Sequence, residues 1–420
     1  MIKNISSLIL FFVCSVLFSQ DRIVYDLKVE GNKKTKASFI RKIAKTRKGE
    51  VLDSLKLEAD ISKLKRLPGI SHAYYHVFHA KENLYDVYYY VEENFTVIPE
   101  VNLWTARNQD VAYRLALYDF NFLGRNIAFG GFYENNVFNS YGINFQAPYL
   151  FSNKAGLALH HENIVRKEPL FLDTGTANYR YSNRSIEGLF LYEFNFRNSI
   201  QIGGSYFNEE YLYLDGATSE DIPEFLNLNK WLFKFIYNYN NLDYFYQYVS
   251  GIKNSFNFQF VTSNNEFQQD FFIFWNNFDF FKRVGDKGNW ANRFRVGIAS
   301  NDDSPFAPFS VDNNLNIRGV GNIIDRGTAM LVLNTEFRYT LYEKNWFVLQ
   351  GNAFIDAGTW RNPGGELTDF FNSVNARVYP GVGLRFIHKN IFNAVFRIDY
   401  GYGITKDSSN GIVFGIGQYF

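Results

Sequence analysis

One cysteine, Cys14, stands in 420 residues. A disulfide framework and a thiolate metal site are therefore excluded from everything after it. Histidines number only six. His160 and His161 are adjacent, so on a strand they face opposite ways and cannot share a metal. His72, His76 and His79 cluster in sequence. His72 and His76 on one strand face would stand about 13 Å apart, and no carboxylate or cysteine spacing supports zinc. No nucleophile motif, phosphate loop or appended lipase-like segment is present, so catalytic residues, metal and cofactor are not expected and the chain does not read as an enzyme. After the first twenty residues no apolar run reaches the length of a membrane-spanning helix. Net charge is only +1.

Aromatic residues are plentiful: 45 Phe and 29 Tyr, with aromatics at 19% of the chain. The first residues carry an address. Lys3 supplies a positive start, residues 8–18 form an apolar core, and Ser19-Gln20 is a plausible cleavage point, the pattern of a secretory leader over 1–19. Phe11, Phe12 and Val13 are too bulky for lipid attachment at Cys14. An exported chain this aromatic, with polar residues interleaved, is a large all-β domain or a membrane β-barrel. The barrel signal is weak in each strand and must be tested by counting and alternation. Nucleic acid is not an expected partner of an exported chain.

Residues 20–95 differ from the rest. Residues 23–29 alternate as a strand, Gly31-Asn32 turns the chain, and Ser38 caps a helix expected over 38–45. Asp53 caps a second helix over 54–66, with Leu55, Ala59, Ile61 and Leu64 near one face. Pro68-Gly69 ends it, and strands follow around 73–80 and 84–92. The order β-α-α-β-β is a small α+β domain. VEGNKKT, KGEVLD and LKRLPGISHAYY, followed by a strand ending in VEE, resemble a POTRA (polypeptide-transport-associated) domain. The basic run Lys33, Lys34, Lys36, Arg41, Lys42, Lys45, Arg47 and Lys48 contains no acidic residue. It reads first as a solvated helix face, and otherwise as a contact for anionic headgroups or an acidic partner.

From residue 96 to 420 the pattern becomes long alternating strands. Val111, Tyr113, Leu115 and Leu117 share one face; Ala112, Arg114, Ala116 and Tyr118 share the other. In the last strand Ile412, Phe414, Ile416 and the terminal Phe420 are expected on one side, opposite Gly415 and Gly417. The count is about 16 strands, the even number of a bacterial barrel. Connections alternate: 122–126, 195–198 and 342–345 are short, while 211–229, 301–327 and 360–379 are long. Short turns at one end and long loops at the other are barrel asymmetry. The long loop 301–327, between about strands 11 and 12, contains NLNIRGVGN with Arg318 framed by Ile317 and Gly319. Alternation points Glu336, Arg338, Asp356, Arg385, Arg397 and Asp399 into the lumen, since a charge at the lipid midplane costs about 2–4 kcal/mol. An arginine entering from the loop could bridge the carboxylates with its planar fork, and Gly319 would let backbone pass close to the wall.

A second resemblance covers nearly the whole chain after the leader. IRGVG, FIDAG (354–358), LYDFNFLGRN (117–126), QAPYLF (146–151), GVGLRF (381–386) and a terminal Phe420 resemble, in order, the motifs of the BamA/TamA-like superfamily of POTRA-plus-barrel proteins. The family usually has an aromatic residue after Arg-Gly; here Val320 stands there. The resemblance implies that Arg318, with Gly319, contacts Glu336 and Asp356 inside the barrel. It also implies a weak seam between the first strand (96–106) and the last (411–420), with Phe414, Ile416 and Phe420 as the terminal signal, through which substrate strands are received. It implies an outer-membrane insertase or translocase component with its POTRA domain in the periplasm. Implied partners are outer-membrane lipids, unfolded outer-membrane or surface proteins, and periplasmic proteins or lipoproteins docking on the POTRA domain. A dedicated two-partner-type secretion pore and a porin-like passive channel are the alternatives. The single POTRA domain suits an accessory or lineage-specific member.

Overall fold

The computed structural model describes residues 21–105, 111–172, 174–220, 222–263, 269–302, 308–311, 316–320, 326–392, 394–406 and 408–420. The expected leader lies outside them. The first unit runs β1 (Ile23–Glu30), α1 (Ala37–Ile43), α2 (Ser54–Leu64), β2 (Ile70–Lys81) and β3 (Leu84–Glu93). Its sheet has the order β1-β3-β2, with β1 parallel and β2 antiparallel to β3. Both helices cover one sheet face. Alternation turns Val87, Tyr89 and Val91 toward them, and Leu57, Ile61 and Leu64 on α2 complete the core at helical spacing. Burying each aliphatic side chain contributes about 1.5–3 kcal/mol.

Two sequence expectations change here. Leu55 points to solvent, 73% exposed, and Leu57 takes its place inside. Asp53 does cap α2, accepting from Leu55 N at 2.9 Å and Lys56 N at 3.4 Å, so residue 55 sits in the first turn, on the flank away from the sheet. The first helix begins at Ala37, with Lys36 rather than Ser38 at its cap. Lys36 is held there by its backbone N–H, which donates to Gly124 O at 2.9 Å.

The second unit comprises β4 (Val97–Thr105), β5 (Val111–Phe122), β6 (Ile127–Asn136), β7 (Phe138–Ala147), β8 (Ala155–Leu172), β9 (Gly175–Asn195), β10 (Asn198–Gly216) and β11 (Phe225–Asn240). A short β12 (Asp243–Phe245) leads to β13 (Tyr248–Ser263), β14 (Phe271–Val284) and β15 (Gly288–Ala299). The two-residue β16 (Phe309–Ser310) and β17 (Arg326–Gly327) lie in the long loop, before β18 (Ala329–Lys344), β19 (Phe347–Arg361), β20 (Ala376–His388), β21 (Val395–Tyr402) and β22 (Asn410–Ile416). Without the three short pieces, sixteen antiparallel strands close into a barrel, β22 beside β4.

Outward side chains form an apolar band that includes Leu115, Leu117, Phe190, Phe233, Ile355 and Phe396. Inward positions are polar: on β18 Asn334, Glu336, Arg338 and Thr340, on β19 Gln350, Asn352 and Asp356, all buried. The strands differ in length. β9 has 21 residues and β10 has 19, whereas β4 has nine and β22 seven. Among the described residues no helix is long and apolar enough to cross a membrane.

Candidate functional site: the lumen lock and the seam

Arg318 lies inside the barrel with its side chain fully buried. Its Nε donates to Asp356 Oδ2 at 2.8 Å and its Nη2 to Asp356 Oδ1 at 3.0 Å, a two-pronged pair. Its backbone N–H reaches the same Oδ2 at 3.0 Å. Nη1 donates to Glu336 Oε2 at 2.6 Å and stands 3.6 Å from Asp399 Oδ1. The guanidinium is also sandwiched between rings, 3.6 Å from the centre of Phe354 and 4.2 Å from that of Tyr419. Desolvation would make a lone arginine here prohibitive. Charge-assisted bonds to two carboxylates, with a third nearby, offset it.

The loop backbone fits because two glycines meet. Gly319 has φ +91°, and a Cβ on it would fall 2.7 Å from the Cα of Gly401. Ile317 and Val320 anchor the same segment in an apolar cluster with Val311, Met330, Val332, Trp360 and Tyr379. Val320 therefore packs as an aliphatic residue, and the ring over Arg318 comes instead from Tyr419.

The other inward charges join the same network. Glu336 also accepts from Arg385 Nη2 at 2.8 Å and pairs with Arg338. Asp399 accepts from Arg397 Nη1 at 3.2 Å and from Asn352 Nδ2 at 3.1 Å. Four guanidiniums thus face three carboxylates. The fourth cation meets the chain's end: Arg338 Nη2 donates to Phe420 O at 3.3 Å.

That contact corrects the reading of the last strand. Ile412 and Phe414 do face outward, at 60% and 69% exposed, but strand pairing stops at Ile416. Gly417, with φ +90°, breaks the alternation and turns the chain inward. Gln418 accepts from Arg385 Nε at 3.1 Å. Tyr419 is buried over Arg318, Arg397 and Arg293. Phe420 lies against Phe281 and Arg293 inside the lumen, not beside Phe414 on the outer face. Sequence reasoning missed Tyr419, Phe354 and Arg293. The available signal was parity, which already places Tyr419 inward, together with a glycine just before the final three residues.

Among the described residues, the junction between β4 and β22 is the least paired in the barrel. No continuous residue-by-residue register links these two strands among the described residues, whereas β21 and β22 pair from Phe396↔Ile416 to Tyr402↔Asn410. Below β22, Phe95 bridges to the β20–β21 turn: its N–H donates to Asn390 O at 2.9 Å and its carbonyl accepts from Phe392 N at 3.0 Å. Residue 106 of the expected first strand lies outside the described residues.

The basic run is not simply solvated. Lys34 Nζ reaches Asp119 Oδ1 and Thr96 Oγ1, both at 2.9 Å, and Lys42 Nζ reaches Tyr149 O at 2.7 Å. Lys45 lies 5.4 Å from the Phe196 ring. The first unit's helical side is clamped on the barrel's short turns. Lys63 pairs with Glu193 at 2.7 Å, and Tyr149 Oη donates to the same carboxylate at 2.8 Å. Burial, with Glu193 adjacent, pushes the Tyr149 hydroxyl well above its ordinary pKa, so it remains a donor. Arg66 donates to three backbone carbonyls: Phe196 and Asn240 at 2.8 Å each, and Leu242 at 2.9 Å.

Residues 23–94 match the family model for POTRA, described as a surface antigen variable number repeat. The chain is similar in structure to BamA from Haemophilus ducreyi lacking POTRA domains 1–3 (TM-score 0.56, 17% identity, covering 93% of this chain and 83% of that one). It is also similar to CdiB from Escherichia coli (TM-score 0.64, 11% identity, 93% and 75%) and to CdiB from Acinetobacter baumannii (0.62, 13%, 95% and 74%). No curated protein sequence matches it.

Proposed function

We propose, from a POTRA domain joined to a BamA- and CdiB-like barrel, that this chain is an outer-membrane insertase or translocase component. It helps outer-membrane or surface proteins assemble or cross through the seam between β4 and β22. The observation that carries this reading is the seam itself: a seven-residue last strand whose tail is folded inside, with Gly319 pressed on Gly401 of β21. An opened seam offers unpaired backbone groups, which an incoming strand satisfies by edge pairing. The apolar outer band suits lipid, and the short-turn end with its POTRA domain faces the periplasm. Partners are membrane lipids, unfolded barrel or surface proteins, and periplasmic proteins or lipoproteins that dock on the POTRA domain.

The higher TM-scores to CdiB favour a second reading, a dedicated two-partner-type secretion pore. A porin-like channel fits poorly, because the Arg318 loop and the C-terminal tail occupy the lumen. One experiment separates these readings. A cysteine in β4 and one in β22, chosen by scanning for a crosslinkable pair, should lock the seam in a folded barrel and stop substrate assembly. Export that persists through a locked seam supports the secretion pore, and full assembly activity with every barrel locked refutes the lateral route.

A further inference from the structure

The turn between β11 and β13 does not stay on the rim. β12 pairs back on the start of β13, Phe245 opposite Tyr248, leaving a two-residue turn of Tyr246 and Gln247. Tyr246 holds φ +52°, a conformation that costs a side-chain-bearing residue about 1 kcal/mol or more. The tip reaches far. Tyr248 Oη donates to Thr340 Oγ1 at 2.9 Å and Gln247 Nε2 to Glu343 Oε2 at 2.8 Å, both on β18, three strands away. Lys389, beyond β20, lies 5.1 Å from the Tyr246 ring. β13 and β20 are five strand spacings apart, roughly 24 Å along the rim, so the hairpin and its partners meet across the mouth. Beneath it Leu242 and Val249 pack with Phe281 and the terminal Phe420.

The POTRA domain grips this hairpin from outside. Arg66 holds the carbonyls of Asn240 and Leu242 at its base. His72 stacks on Tyr246 at its tip, 5.9 Å between ring centres and 14° between planes.

We propose that the hairpin Leu242–Tyr248 is a gate that shuts the POTRA-side mouth of the lumen, held closed by the POTRA domain through Arg66 and His72. Movement of that domain then opens the lumen. The inference rests on the reading above only in treating the barrel as a passage.

The test uses Gln350, a fully buried lumen residue whose Nε2 donates to Thr340 Oγ1 at 3.2 Å, directly behind the latch. The full chain after the leader, carrying Gln350→Cys as its only cysteine, is placed in lipid nanodiscs, and labelling by a charged thiol reagent is timed. Replacing the hairpin by an Asn-Gly turn should speed labelling about tenfold or more, the response of a population moved from closed to open. Gln247→Ala with Tyr248→Phe, which keeps the chain length and rings, should speed it severalfold. Unchanged labelling in both folded variants overturns the gate. Arg66→Ala should also speed labelling; a native rate there overturns the POTRA domain's part. The assay needs no substrate, so its outcome stands apart from that of the seam crosslink.

Discussion

Arg318→Ala is the most direct test of the lumen lock. The side chain removed makes its shortest bond to Glu336 and a two-pronged pair with Asp356. The two carboxylates fare differently. Glu336 keeps Arg338 and Arg385. Asp356 loses its only ion-pair partner among the described residues and keeps one backbone N–H, that of residue 318. The cost is therefore mainly that of an orphaned buried carboxylate, about 3–5 kcal/mol before lumen water relieves part of it. Two cation–π contacts, worth roughly 0.5–2 kcal/mol each, go with it. Unfolding of the purified protein in detergent, followed by tryptophan fluorescence against denaturant, should register the loss. Limited proteolysis should show cleavage near residues 316–320. Arg318→Lys should recover only part, since an ammonium cannot span both Asp356 oxygens. The sharpest arm is the double variant. If the orphan charge dominates, Arg318→Ala with Asp356→Asn is more stable than Arg318→Ala alone, a coupling on the order of 1–3 kcal/mol. Additive effects, or a native-like loop in Arg318→Ala, would refute the lock.

Two further outcomes follow from the domain arrangement. Removing residues 21–93 should abolish substrate delivery while the barrel still inserts, read by assembly of reporter proteins beside a folding assay; full complementation by the truncated chain sinks the delivery role. Protease added to intact cells should cut, if anywhere, in long loops such as 217–224 and never within 33–48, where cleavage would reverse the proposed topology.

Much of this was legible in sequence because barrels write alternation and loop parity directly into the chain. The inward set Glu336, Arg338, Asp356, Arg385, Arg397 and Asp399 follows from period two, and the structure brings all six into one network with Arg318. What parity cannot carry is a break in parity. Gly417 takes a left-handed conformation, so Phe420 leaves the outer face and meets Arg338 and Phe281 instead. Contacts between distant turns were equally hidden. A run of lysines and arginines looks the same whether it is solvated or, like Lys34 and Lys42, seated on barrel turns. The hairpin at Tyr246 lacks the glycine that usually announces such a turn.

Where a barrel of this kind gives way is decided by ladder length. β8 and β9 pair without interruption from Ala155↔Tyr192 to Leu172↔Gly175. At about 0.5–1.5 kcal/mol net for each hydrogen bond, parting these 18 residue pairs costs roughly 9–27 kcal/mol, and more in lipid, where freed groups find no water. β22 offers seven residues to either neighbour. The three residues after Gly417 are held elsewhere in the lumen, Gln418 by Arg385, Tyr419 by ring contact with Arg318 and Phe420 by Arg338. Among the described residues, parting β22 from β4 therefore breaks the least strand pairing in the barrel while the tail stays anchored. The lock sits on the same elements: Gly319 against Gly401 of β21, and Ser409 Oγ donating to Val320 O at 2.7 Å just before β22. Loosening Arg318 removes support from the two strands that end the barrel and leaves the long ladders of β8 to β11 untouched. On the proposed lateral route, a strand that replaces β22 at the β4 edge would gain a longer ladder than the seven residues of β22 supply, which would favour opening at this junction.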